Sequence, residues 1–123
     1  MDAHATKILV KIAKEFIELM QSIDPNWDRA YHRFRMDEGR YGSNGSYSVA
    51  GGVQLIGALQ CSNFYDSVNR KGCELFQILK RNKGVFLLTI DSEFNYHVDI
   101  DWEDTGRWEI TKMNGSSGLP GGI

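Results

Sequence analysis

An uninterrupted alternation of apolar and polar residues in the last third of the chain is the feature that most constrains the fold. The apolar positions are Phe94, Tyr96, Val98, Ile100 and Trp102, and the residues between them are Asn95, His97, Asp99 and Asp101. Because successive side chains of a strand point to opposite sides, this pattern predicts a strand with one core face and one polar face. The apolar run at residues 85–90 precedes it, and only residues 91–93 connect the two. Such a short connection predicts an antiparallel hairpin.

Two other segments have the apolar spacing of amphipathic helices. Between Thr6 and Ile23, apolar residues recur mostly at intervals of three and four, and the pattern stops at Asp24-Pro25. Proline ends it because it disfavours helical geometry in the preceding residue. A second helix is expected to begin at a capping residue, Ser62 or Asn63. Its predicted core positions are Phe64, Val68, Leu75, Phe76 and Leu79.

Residues 27–36 have the length and aromatic content of a strand. We expect its core face to carry Ala30, His32, Phe34 and Met36, and its other face to carry Arg29, Tyr31, Arg33 and Arg35. Residues 37–46 are rich in Gly, Asn and Ser, which favours a flexible loop. Residues 47–59 predict a further strand or a bent hairpin with a bulge or turn at Gly51-Gly52.

Together these segments predict an α+β fold, in which an antiparallel β-sheet of about four to five strands packs against two main α-helices. At 123 residues the chain has the usual length of one domain. We assign residues 1–113 to that domain. Residues 114–123 form a Gly/Ser-rich C-terminal tail, which we expect to be poorly packed.

Negative charge is concentrated in one part of the sequence. The chain carries a net charge of −2, yet residues 91–104 contain six carboxylates and no Lys or Arg. These acids are Asp91, Glu93, Asp99, Asp101, Glu103 and Asp104. Closely spaced carboxylates on a strand repel one another and gain when a basic partner neutralises them, so the stretch predicts a docking surface. The simpler interpretation is a solvated outer sheet face that is acidic without a partner.

Two chemical alternatives remain open. His97, Asp99 and Asp101 lie at alternate strand positions and could present an imidazole and two carboxylates to a divalent metal, as in a small metal-dependent hydrolase. Same-face neighbours on a strand stand roughly 6.5 to 7 Å apart, so one strand alone is poorly suited to close a metal site. The arginines at residues 29–35 could instead contact phosphate in a nucleic-acid-binding module, although the chain lacks a continuous basic patch.

The expected setting is the cytoplasm. The longest apolar stretches are far shorter than the roughly 20 residues of a membrane-spanning helix, and the N-terminal segment lacks the apolar core of a secretory signal. Cys61 and Cys73 have no partners at zinc-ligand spacing, which favours two reduced, structural thiols.

In its order of features the sequence resembles the YezG-like family of bacterial antitoxin or immunity proteins. The matching pieces are the N-terminal helix that ends before Pro25-Asn26-Trp27, the strand containing Ala30 and Tyr31, and the helix containing residues 75–79. Above all, residues 94–104, with the sequence FNYHVDIDWED, look like that family's acidic and aromatic strand.

The resemblance implies a cytoplasmic immunity protein of a contact-dependent or polymorphic toxin system. Such a protein binds and blocks a toxin domain, often a nuclease, and is not itself an enzyme. We therefore expect a 1:1 complex between a monomer and a basic toxin domain, with no cofactor, no metal, no membrane and no direct nucleic-acid contact. The predicted toxin-binding residues are Asp91, Glu93, Tyr96, His97, Asp99, Asp101, Trp102, Glu103 and Asp104.

Overall fold

The computed structural model describes residues 2–123, and in that part of the chain two α-helices pack against a five-stranded sheet. The helices are α1 (Ala3–Ile23) and α2 (Ser62–Ile78), and the strands are β1 (Arg29–Asp37), β2 (Arg40–Val49), β3 (Gly52–Leu55), β4 (Lys83–Asp91) and β5 (Tyr96–Asp101). The strand order is β3-β2-β1-β4-β5, and every neighbouring pair is antiparallel. The predicted α+β fold is confirmed. Met1, the first residue of the predicted domain, lies outside the described residues.

Local sequence accounts for the ends of the two helices. The Asp2 carboxylate accepts hydrogen bonds from the backbone N–H groups of His4 and Ala5, at 2.7 and 3.3 Å, and so caps the start of α1. Helix α1 ends before Pro25, as predicted. Helix α2 begins at Ser62, but Cys61 occupies its N-cap and makes no side-chain capping bond, so the predicted Ser62 or Asn63 cap is wrong.

The main core lies between the two helices and the inner face of the sheet. Its fully buried side chains include Ile12, Phe16, Met20, Phe34, Val68, Leu75, Phe86, Leu88 and Ile90. Gly72 brings α2 close to the sheet, because a Cβ at this position would lie 2.6 Å from the Phe34 ring. Both the helical stripes and the predicted core face of β1 are thereby confirmed. No helix within residues 2–123 is long and apolar enough to cross a membrane.

The outer face of the sheet carries a second, smaller core, which the sequence did not predict. It consists of Tyr31, Val85, Leu87, Trp108 and Ile110. The last two residues belong to a segment that we name the C-terminal arm (residues 105–121). Tyr31 and Arg33, which were predicted on the face opposite the main core, are buried under this arm.

Side chains of β1 and β2 hold the C-terminal arm against the sheet by donating hydrogen bonds to its backbone carbonyls. The Arg33 guanidinium donates to the carbonyl oxygens of Arg107 and Thr105, at 2.8 and 2.7 Å. The Asn44 amide donates to the Ile110 carbonyl at 2.9 Å. The arm also buries Gly118 and Pro120, and its only helical part is a short 3₁₀ turn at Met113–Gly115. The expectation of a poorly packed tail is therefore wrong for these two residues.

Residues 37–46, predicted as a flexible loop, are mostly strand. Only a tight turn separates β1 from β2, with Glu38 and Gly39 both at positive φ. The nine residues of β1 all pair with β2, from Arg29 with Ser48 to Asp37 with Arg40. Cross-strand pairing therefore overrides the weak strand propensity of Gly, Asn and Ser. The bent hairpin predicted around Gly51-Gly52 is confirmed as the β2–β3 connection.

Candidate docking surface

All nine predicted toxin-binding residues lie on the β4–β5 hairpin or in the turn that follows it. Strand β5 is the last strand of the sheet and pairs only with β4. Its outer edge therefore presents backbone N–H and C=O groups that no other described strand covers. The alternation in the sequence could not show this position, because an edge strand and a central strand can have the same pattern.

Asp91 is committed to the turn of the hairpin. Its carboxylate accepts hydrogen bonds from the backbone N–H groups of Glu93 and Asn95, both at 3.0 Å, and from the Asn95 side-chain amide at 3.2 Å. The bonds from Asn95 are the largest cause that lowers the pKa of Asp91 below its usual value. Asp91 therefore stays ionised while it holds the hairpin turn.

Asp101 has the same role at the other end of β5. It accepts the backbone N–H groups of Asp104 and Glu103, both at 2.9 Å, and pairs with the Arg107 guanidinium at 3.1 Å. These contacts, the Asp104 N–H first, lower the pKa of Asp101. Asp104 in turn accepts the N–H of Gly106 at 3.0 Å. Asp101 and Asp104 thus shape the turn that leads into the C-terminal arm.

The remaining acids are free to meet a partner. Asp99 contacts the His97 ring at 3.0 Å, and its side chain keeps 49% of its exposure. Glu93 and Glu103 are exposed and form no ion pair within residues 2–123. The six carboxylates therefore divide into three that build turns and three that are exposed and free, namely Asp99 on β5 and Glu93 and Glu103 on either side of it.

The aromatic residues divide in a similar way. Trp102 is half-buried: its ring lies 5.3 Å from that of Phe76, and the Arg81 guanidinium stacks over it at 4.9 Å. This side chain anchors the end of β5 to the core, and little of it is open to a partner. Tyr96, by contrast, is 46% exposed, and Phe94, which was expected on the core face, is 55% exposed in the turn. Phe94 is therefore a surface residue that the alternation pattern misplaced.

A shallow groove of about 290 Å³ lies beside Tyr96. Its lining includes Arg29, Thr89, Tyr96 and His97. The groove is open on the outer face at the end of the sheet that the C-terminal arm does not cover. A side chain of a bound protein can enter it beside the acidic edge of β5, which gives the surface a concave part as well as a charged one.

The structure brings together only two of the three residues of the predicted metal site. His97 and Asp99 meet, but the Asp101 carboxylate points to the backbone of the following turn and to Arg107. Across residues 2–123, no group of three His, Cys, Asp or Glu side chains is placed to hold a metal ion. Cys61 and Cys73 are free and half-buried, and burial raises the pKa of both thiols.

Comparison with known proteins adds no family to this description. No protein-family model matches the chain, and no curated protein matches it significantly. The resemblance to the YezG-like family therefore rests on the residues quoted above.

Proposed function

We propose that this chain is an immunity protein that binds a basic toxin domain, such as a nuclease, and blocks it. The single observation that carries the proposal is a set of exposed carboxylates on β5 and in the segments at its two ends, in which Glu93, Asp99 and Glu103 have no Lys or Arg partner within the described chain. It acts by binding rather than by catalysis, in the cytoplasm, as a monomer in a 1:1 complex.

Electrostatics gives this surface its specificity. A nuclease must present basic groups to hold a phosphate backbone. A rigid strand with spaced carboxylates can occupy those groups in place of the substrate, and opposite fields raise association rates to about 10⁸ to 10⁹ M⁻¹s⁻¹ at low salt. A cell that makes a toxin needs capture on this time scale.

Two of the turn-building acids, Asp91 and Asp101, contribute to the proposed surface indirectly. Because hydrogen bonds lower the pKa of Asp91 and Asp101, both remain charged well into acid and add to the negative field of the edge. Their bonds also fix the two ends of β5, so the free carboxylates need little ordering when the partner binds.

The exposed edge supplies a second mode of contact. A strand of the toxin can pair with β5, in which case main-chain hydrogen bonds give affinity and alternate side chains give selectivity. A lysine or arginine at every second position of that strand would meet the acidic side chains. Phe94 and Tyr96 would then provide apolar contact at the turn end of the interface.

A charge-matched pair of triple variants tests this proposal. The first replaces the free acids of the edge, as Glu93→Gln, Asp99→Asn and Glu103→Gln. The control removes three exposed acids from the helical side, as Glu18→Gln, Asp66→Asn and Glu74→Gln. Both change the net charge equally, so only the position of the lost charge differs.

The measurement is stopped-flow association with the toxin domain encoded by the adjoining upstream reading frame, at low and physiological salt. We expect the edge variant to associate at least about tenfold more slowly at low salt, with a flatter salt dependence, because steering is local to the surface that docks. The helical variant should differ from the unmodified chain by less than about twofold. Equal rates for the two variants would exclude the β5 edge as the docking surface.

A further inference from the structure

A second open region lies on the outer face, on the other side of the C-terminal arm. It is a basin of about 630 Å³ at the hairpin end of β1 and β2, and three arginines, Arg33, Arg35 and Arg40, line it. Such a volume falls within the range of small-molecule sites, which is about 300 to 1,000 Å³. Nothing in the proposed toxin contact uses this region.

Arg33 is the buried anchor of the basin. Only 9% of its surface is exposed, and its Nε and Nη2 atoms are held by the arm carbonyls of Arg107 and Thr105. These bonds fix the guanidinium plane and leave Nη1 without a protein acceptor in the described chain. Burial and then the charge of Arg35 lower the pKa of Arg33, although the carboxylates of Glu109 and Asp104 act in the opposite direction.

Arg35 and Arg40 complete the cluster from exposed positions. Within residues 2–123 none of the three guanidinium groups forms an ion pair with a carboxylate. Opposite Arg35, strand β2 carries Gly42, and a Cβ added there would meet nothing within 4 Å. The space in front of Arg35 is therefore empty because the partner strand contributes no side chain to fill it.

We propose that this arginine basin binds the phosphate group of a small molecule. Guanidinium groups present planar forks that match the oxygens of phosphate; Arg35 and Arg40 can present such forks, and the fixed Arg33 adds its remaining donors. The lining carries three arginines against two carboxylates, so the basin has a net positive charge that a bound anion neutralises.

The rim of the basin limits the ligand to a small one. Asp37 and Glu38 line the same cavity as the arginines. Their carboxylates can accept hydrogen bonds from hydroxyl or amino groups on the rest of the ligand, but they repel the neighbouring phosphates of a long polyanion. The observations therefore favour a phosphorylated small molecule over a nucleic-acid strand.

The test titrates the full chain, as isolated, with inorganic phosphate, with a nucleoside monophosphate, and with a single-stranded oligonucleotide, followed by NMR of the arginine side chains. Four variants accompany it. Arg35→Gln removes one of the arginines proposed to bind phosphate. Gly42→Asp places a carboxylate opposite Arg35, and Gly42→Asn is the uncharged control of similar size. Arg29→Gln removes an exposed arginine from the same face at the far end of β1.

We expect phosphate and the monophosphate to shift the Arg33 and Arg35 signals. Arg35→Gln and Gly42→Asp should each weaken binding by about tenfold or more, while Gly42→Asn and Arg29→Gln should stay within about threefold. The edge triple variant of β5 should bind phosphate normally, so failure of the docking proposal leaves this one standing.

Several results would overturn the proposal. One is the absence of any shift at millimolar phosphate, and another is equal affinity in Arg35→Gln and Arg29→Gln. Equal weakening by Gly42→Asp and Gly42→Asn would show that bulk rather than charge matters. Tighter binding of the oligonucleotide than of the monophosphate, with a steep salt dependence, would make the basin a nucleic-acid contact instead.

Discussion

The two faces of the sheet are closed in different ways. The inner face is sealed by two amphipathic helices, and its central side chains, such as Phe34 and Phe86, are completely buried. The outer face is crossed by the irregular C-terminal arm, which covers a cluster of five buried residues. An open cavity lies on each side of the arm. The inner face thus holds most of the buried core, and the outer face carries the two regions that we propose as binding sites.

The largest effect that can test this comparison is expected at Phe34 on the inner face. Its ring stacks on Phe86 and meets Phe76 edge-on, both with centroids 5.4 Å apart. We expect Phe34→Ala to lower the free energy of unfolding by about 3 to 5 kcal/mol, because it leaves a large cavity. Urea denaturation measures the loss, with Phe34→Leu as the milder control. A loss below about 1 kcal/mol would contradict the view that this face dominates stability.

A smaller loss is expected at Trp108 on the outer face. The indole is buried, but its cluster has five buried residues and is far smaller than the main core. We expect Trp108→Ala to cost about 2 to 3 kcal/mol, again by urea denaturation. If it costs as much as Phe34→Ala, the two faces contribute equally and the distinction fails.

Glycine at the same position sharpens the measurement. Trp108 has a φ of 60°, a conformation that is unfavourable for a bulky residue and open to glycine. We therefore expect Trp108→Gly to be more stable than Trp108→Ala by about 1 kcal/mol. The reverse order would show that the backbone of the arm rearranges once the indole is gone.

The third effect is a loss of stability at acid pH, and it comes from His32 on the inner face. The ring is fully buried among Phe16, Phe64 and Phe86. Its Nε2 atom lies 3.0 Å from the Ser43 hydroxyl, and its Nδ1 atom has no partner. Burial lowers the pKa of His32 from 6.5 to about 3, so the folded chain holds this ring neutral where the unfolded chain protonates it.

Stability is therefore lost as the pH falls from 6.5 towards 3, since the unfolded state binds the additional proton. At pH 5 the loss relative to pH 7 should be about 2 kcal/mol. Urea denaturation of His32→Gln at both pH values should show that this loss has disappeared, whereas His4→Gln, which alters an exposed ring, should retain it. The stability that Asp91 and Asp101 contribute is lost at lower pH, as the pH falls below their usual pKa of 3.8. An unchanged loss in His32→Gln would refute this account.

The inner face was the predictable part of the fold. Regular spacing identified α1, the core face of β1 and the β4–β5 hairpin, because burial on one side imposes a period on the sequence. Strand β2 was missed because Gly42, Asn44 and Gly45 lack strand propensity and are held by pairing with β1.

The outer face was far less predictable. The C-terminal arm is irregular, so Trp108 and Ile110 carry no period that would show where they pack. The division of the acids was also hidden, because Asp101 and Asp99 look equivalent along the strand, and only the turn after β5 directs Asp101 inward to backbone N–H groups. The arginine basin depends on the register that places Gly42 opposite Arg35.

The unpaired margin of β5 also affects how copies of the chain behave towards one another. Two copies that met along this margin would bring negative side chains such as Asp99 against their equivalents, and no Lys or Arg lies between residues 91 and 104 to relieve the repulsion. Bare sheet margins are common starting points for aggregation. The same charges that would attract a cationic strand therefore oppose edge-to-edge pairing of identical molecules.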